Sequence, residues 1–213
     1  MTTTANTPTP GKTPGAAPGK PPARPATLAP EYTTGSELQT LREAAGLSRD
    51  ALAELVGVQA RTVKHWEHGR AGVPADVAAV AHNLAQWVRQ ATHSMHNSAR
   101  EWLRQFEPAT PAGPFVLVRY QQTADMLPSD RTLGARADCH GAAVAQVMQR
   151  LALDGLAARV VWFDAASFAS WCQADHTTDT PAARQAWAEC EALPAQAVPA
   201  RGDQPPASHT GAP

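Results

Sequence analysis

Two short apolar-periodic runs, Arg49–Val56 and Gln59–His68, are separated by a tight break at Gly57. Isolated helices shorter than ~12–15 residues are marginal in water, so neither run is stable alone. Each must bury its apolar side against the other or against a third element. Gly57 permits the positive-φ turn that brings them together. The chain is therefore built around two helices that exist only as a packed unit.

The third element lies upstream. Thr34-Gly35-Ser36-Glu37 has the T-x-x-E spacing of a capping box, and Gly46 can end the helix it starts. Leu38, Leu41 and Ala45 then share a face. Ser48 caps the second helix, with Ala51, Leu52 and Leu55 inward. On the third helix, Gln59, Thr62, Val63 and Trp66 share one side, while Arg61, Lys64, His65 and His68 share the other. Two short helices around a glycine turn, the second apolar on one side and cationic on the other, form a helix-turn-helix. That geometry suits a major groove ~12 Å wide. A cationic helix face alone is weak evidence, since such faces are usually solvated; the platform beneath it carries the reading.

Pro74 fits the first turn of a fourth helix. A near-helical apolar period from Val77 through Phe106 predicts one long helix, or two with a bend near 93–97, over 74–106. PATPAGP at 108–114 is a linker. FVLVRY (115–120) and ARVVWF (158–163) are strands flanking a helix from Ala142 to Leu153, and Ser167–Cys172 is a short closing helix. A strand, a crossover helix and a strand imply parallel pairing. Two strands are marginal on their own, so Phe115, Leu117, Val161, Phe163, Phe168 and Trp171 point to dimerisation as their cover. A fragment ending near Pro108 is expected to fold, with weakened DNA binding.

The expected fold is mainly α with a small α+β C-terminal part. It comprises a disordered basic arm (1–30), a helix-turn-helix domain with a long fourth helix (34–107), the linker (108–114), a dimerisation domain (115–174) and a mostly disordered tail (175–213). Within that tail, Ala182–Leu193 is a lone, marginal helix. The arm carries Lys12, Lys20 and Arg24 as its charged side chains, either a weak phosphate attractor or a solvated linker.

Composition narrows the function. A formal net charge of -1 over 213 residues confines any nucleic-acid site to a local patch. Three scattered cysteines form no CxxC pair and fit reduced thiols, with no disulfide framework. No apolar run approaches the ~20 residues of a membrane helix, and the N-terminus lacks the core of a secretory signal. The expected setting is the cytoplasm, without membrane contact. Cys139-His140 lacks a third group to orient it, and adjacent residues at a helix start point apart. His82, His93, His96 and His140 do not recur with ligand spacing. No Walker or GxGxxG loop occurs. Neither an enzyme nor a metal or cofactor site is expected. Arg201-Gly202-Asp203 is read as a chance adhesion tripeptide.

LREAAGLSRDALAELVGVQARTVKHWEHGR resembles the Cro/C1-type helix-turn-helix family over residues 36–70. The residues in register include Arg42, Gly46, Leu52, Gly57, Val63, Trp66 and Glu67. QARTVKHWEHGRAGVPADV (59–77), with YQQTAD and VVWFDAASFASWC, is similar to the anti-CRISPR-associated transcriptional repressors and their YdiL-like relatives. The resemblance implies a repressor that binds an inverted-repeat operator in double-stranded DNA as a homodimer, autoregulating its own operon. An antitoxin-like protein that binds a partner toxin is the alternative, with 175–213 as the segment that folds on it. An RNA hairpin mimicking the operator is a further implied partner, although no stacking platform is evident. By the same resemblance, Gln59, Ala60, Arg61, Lys64 and His65 contact bases, with Lys64 open between base and phosphate and His65 between groove and solvent. Ser48, Arg49, Thr62, His68 and Arg70 contact phosphate, and Arg42 and Glu67 form an internal ion pair. The chain departs from many relatives at Arg49, where a glutamine is common, and at Lys64, so the contacted bases can differ.

Overall fold

The computed structural model describes residues 33–106, 113–132 and 134–192; the basic arm, most of the linker and residues 193–213 lie outside them. Thr34 opens α1 (Gly35–Ala44) with a complete capping box, its hydroxyl accepting the Glu37 N–H while Glu37 reaches back to the Thr34 N–H. Ser48 caps α2 (Arg49–Leu55) by accepting the Ala51 N–H at 3.0 Å. Gly57 takes φ 70°, and the Val58 N–H closes back onto the Ala53 carbonyl, so the chain reverses into α3 (Ala60–Glu67). Leu38, Leu52, Ala53, Val63 and Trp66 form the core of this trio with Val77 and Ala81. Leu55, expected inward, is 36% exposed, because α2 ends there and the chain is already turning.

The fourth helix, α4, is one continuous element, Ala75–Arg104, without a break at 93–97. After it come β1 (Phe115–Arg119), a 3-10 turn (Thr123–Asp125), α5 (Pro128–Thr132), α6 (Ala137–Leu153), β2 (Ala158–Trp162), α7 (Ala165–Ala174) and α8 (Pro181–Ala192). The two strands pair in parallel, with Phe115 opposite Ala158 and Arg119 opposite Trp162. The α6 helix starts five residues before the expected Ala142 and runs through Gly141. A Cβ there would stand 2.9 Å from the Arg119 guanidinium, so the glycine makes room for that side chain.

The sheet has helices on both faces. Phe115 and Leu117 pack with Ala99 of α4 and Val144, Val147 and Leu151 of α6. The other face, with Val116, packs with Phe163, Phe168 and Trp187 in a core that also takes in Ala45, Leu47, Ala51, Leu84, Trp87 and Val88. One apolar cluster thus draws on both the helix trio and the strand region. Gly46 marks the contact, since a Cβ there would lie 2.8 Å from both the Ala142 Cβ and the Asp138 carbonyl oxygen. Arg136 reaches Glu54 across the same seam at 3.0 Å. This shared core argues against the expectation that a fragment ending near Pro108 folds by itself.

Two further expectations change. The helix at 181–192 is neither lone nor marginal: Trp187 is 1% exposed and Ala183 and Ala188 are buried in the shared core. The ordered chain therefore continues past the expected tail boundary at 175. Phe115, Leu117, Phe163 and Phe168 are also buried within the single chain, so they leave no apolar deficit for a second copy to cover.

Candidate nucleic-acid interface

The apolar side of α3 is fixed by Val63 and Trp66, both buried. Glu67 completes the anchoring with chemistry. Its side chain is 0% exposed, and its two oxygens take different arginines: Arg42 Nε donates to one and Arg49 Nε to the other, each at 2.6 Å. Arg42 also donates to the Leu47 carbonyl at 2.6 Å. One carboxylate therefore ties α1, α2 and α3 together. Burial pushes the Glu67 carboxyl up, but the hydrogen bonds from Arg42 and Arg49 outweigh it and hold the group below the usual carboxylate range. Turned inward, Glu67 also keeps its charge away from any phosphate.

On the open side, Arg61, Lys64 and His65 are exposed, and none makes a side-chain hydrogen bond or ion pair among the described residues. Gln59, at the N-cap of α3, is exposed and makes no capping bond with its side chain. Ala60 and Thr62 are half-buried. Arg61, Lys64 and Ala60 line one cleft of ≈ 610 Å³ with Arg42, Arg49, Glu43 and Asp50. The structure thus brings the exposed cations of α3 together with the first turn of α2.

The residues expected at phosphates are placed less uniformly. Ser48 already accepts the Ala51 N–H, which leaves its own O–H free to donate. Arg49 commits Nε to Glu67 but keeps a side chain 38% exposed and lines the cleft. The His68 ring turns back onto its own helix, Nδ1 lying 2.8 Å from the Lys64 carbonyl oxygen. Arg70 is exposed just beyond Gly69. The bond from Arg49 to Glu67 was missed in the sequence, although an arginine beside the Ser48 cap, in a trio with a buried glutamate, was its available signal.

Among the described residues, the side chains weighed for other chemistry do not gather into one site, and His82 Nε2 and His140 Nδ1 are buried without hydrogen-bond partners. Cys139 is fully buried and burial pushes its thiol up. His140 is pushed down to about 4 by burial, with Arg119 beside it, and stacks edge-on with Tyr120 at 4.7 Å. Both shifts disfavour a thiolate–imidazolium pair. His96 lies 2.8 Å from Asp154 and His93 3.0 Å from Asn97, so the two histidines face different partners.

No curated protein matches the chain. Residues 34–86 match the family model of a helix-turn-helix domain, the span that contains the trio, the Glu67 tie and the first turns of α4. The chain therefore carries a helix-turn-helix domain over residues 34–86.

Proposed function

We propose that the chain is a transcriptional repressor that binds an inverted-repeat operator as a homodimer and controls its own operon. The observation that carries this reading is the contrast between the two sides of α3: Val63, Trp66 and Glu67 locked in place, and Arg61, Lys64 and His65 exposed without partners. A rigid helix bearing uncommitted donors is what base reading requires, because the donors' positions are set before the groove is met. Arg61 is assigned to bidentate recognition of a guanine edge, with Gln59, Lys64 and His65 beside it and the Ala60 methyl against a thymine methyl. Ser48, Thr62, Arg70 and the free end of Arg49 are assigned to phosphates, which set the register. His68 joins them through the ring nitrogen not turned toward Lys64. The narrower kinship with anti-CRISPR-associated repressors, and the cytoplasm as the working compartment, belong to this proposal.

The antitoxin-like alternative relied on 175–213 to fold on a partner. Residues 181–192 are already folded against the chain's own core, which removes them from that segment.

Footprinting the DNA upstream of the protein's own gene, followed by a gel-shift titration of Arg61→Ala, tests the reading. The variant is expected to lose ~1–3 kcal/mol of specific binding, about 5–150-fold, with an unchanged melting midpoint because its side chain makes no contact in the fold. Equal affinity of variant and wild type for a protected inverted repeat overturns the placement of α3 in the groove.

A further inference from the structure

The two edges of the sheet are treated differently. In a parallel ladder, alternate residues of each strand bond the neighbour and the others point their N–H and C=O outward. The bonds at the ladder's ends run from the Phe115 N–H to the Ala157 carbonyl (2.9 Å) and from the Phe163 N–H to the Arg119 carbonyl (2.8 Å). They place the odd-numbered residues of β2 on the β1 side. Ala158, Val160 and Trp162 therefore present their backbone groups to the free edge. On β1, Val116 and Val118 face outward by the same logic. There α8 intervenes, with Gln185 donating its amide to the Val116 carbonyl at 2.9 Å. Among the described residues, nothing bonds the outward backbone groups of β2.

On the face shared with α6 the side chains of that open edge, Ala158, Val160 and Trp162, are apolar, while Arg159 on the opposite face is exposed and donates to the Ala192 carbonyl. Trp162 is 51% exposed, with the Arg119 guanidinium over its ring at 5.1 Å. Gly141, Ala145, Met148 and Ala152 fall on one stripe of α6, and Gly141 adjoins the same guanidinium. Met148 is 39% exposed, and Ala145 and Ala152 are exposed. An unpaired strand edge flanked by an exposed tryptophan and methionine is a template for strand addition.

We propose that this edge is the interface with a second copy of the chain: the β2 strands pair antiparallel about a twofold axis at Val160 and join the two sheets into one of four strands. The proposal rests on the homodimer reading above and names its surface. The register supports self-pairing. With Val160 opposite Val160 of the second copy, the residues that must exchange hydrogen bonds are the outward-facing ones, and Trp162 falls opposite Ala158 of the second copy. The largest side chain on that face meets the smallest, twice, as a twofold interface requires. The chain's own undescribed ends are poor occupants by composition. Residues 1–32 hold only Met1, Leu28 and Tyr32 as larger apolar side chains, and 193–213 only Leu193 and Val198.

Sedimentation velocity across a concentration series tests the surface on the full chain, using wild type, Trp162→Lys and Val160→Pro. The proline removes an N–H that β1 does not use, and the lysine places a charge on the edge without touching the ladder. The wild type is expected to be dimeric. Each variant should weaken the dimer about 30-fold or more, with an unchanged far-UV circular dichroism spectrum. If Val160→Pro disturbs the strand, Trp162→Lys decides alone, because its side chain is already half in solvent. A dimeric wild type with equally dimeric variants overturns this surface and leaves the homodimer standing. A monomeric wild type overturns both, and leaves the edge to an extended segment of another protein.

Discussion

Arg42 and Arg184 are buried to the same degree in different halves of the molecule, and each donates to a backbone carbonyl at 2.6 Å. Their counter-charges differ. Arg42 faces Glu67, whose carboxylate is fully buried and serves a second arginine as well, and Arg42 Nη2 also reaches the half-exposed Glu43 at 3.1 Å. Arg184 is gripped by Asp179 at 2.7 and 2.8 Å, but that aspartate is 48% exposed. The remaining surroundings of Arg184 are ring faces: Phe163 at 4.3 Å, Tyr120 at 5.4 Å and Phe168 at 5.6 Å. In the helix trio a buried cation is held at its shortest ion pair by a buried anion. Beside the sheet, a cation is held by π faces and an acid that water also stabilises. The first arrangement fixes geometry tightly and is costly to break. The second gives way more gently when one partner is lost.

The broadest test asks whether the trio stands without the sheet half at all. Removing everything after Phe106 uncovers Leu47, Leu84, Trp87 and Val88. At ~1.5–3 kcal/mol for each large apolar side chain, the loss approaches the ~5–15 kcal/mol that holds a typical domain together. The fragment should lack a cooperative melting transition; a sharp melt near the full-length midpoint would show that the trio is self-sufficient.

Next comes Glu67→Ala, which leaves the buried Arg42 with only the half-exposed Glu43 and the Leu47 carbonyl and should destabilise the chain by up to ~3–5 kcal/mol in denaturant titration. The pair also sets an acid limb. Because the folded Glu67 pKa is lowered from 4.5, its contribution is fully present above that value and is lost as pH falls through the folded pKa. Stability should therefore hold from neutrality down to about pH 5 and decline below 4.5. The Glu67→Gln chain should start lower and lose less over the same acid range. A wild type and variant with parallel acid limbs would assign the decline to other carboxylates.

The smallest effect is expected for Arg184→Met. It removes the ring contacts and leaves the Asp125 carbonyl without its donor, while Asp179 stays hydrated, for a loss of about 1–3 kcal/mol. Should it prove costlier than Glu67→Ala, the contrast between the two arginines fails.

The helix trio was readable because its signals are local. Thr34 with Glu37, Ser48, and Gly57 between two periodic runs each announce a boundary within a few residues of where they act. The strands and their parallel pairing were readable for the same reason, from β-branched runs around a crossover. The α8 helix was readable to within a residue of its bounds, but its packing was not. Its Ala-rich sequence has little apolar content of its own, and what holds it is the cluster of Phe163, Phe168 and Tyr120, far away in sequence. Trp187, with Ala183 and Ala188 at helical spacing, was the trace it left. In the candidate interface, Arg61 and Lys64 stand out by periodicity alone. The hold of Glu67 on Arg49 needed the fold, since it joins residues 18 positions apart.

Gln185 bears on stoichiometry. A sheet with two usable edges recruits copies one after another and has no reason to stop, which is the geometry of a fibre. A sheet with one edge plugged and the other open is satisfied by a single addition. By seating one amide on the Val116 carbonyl, α8 occupies the β1 edge, so the proposed pairing through β2 would close at two copies instead of growing into a polymer.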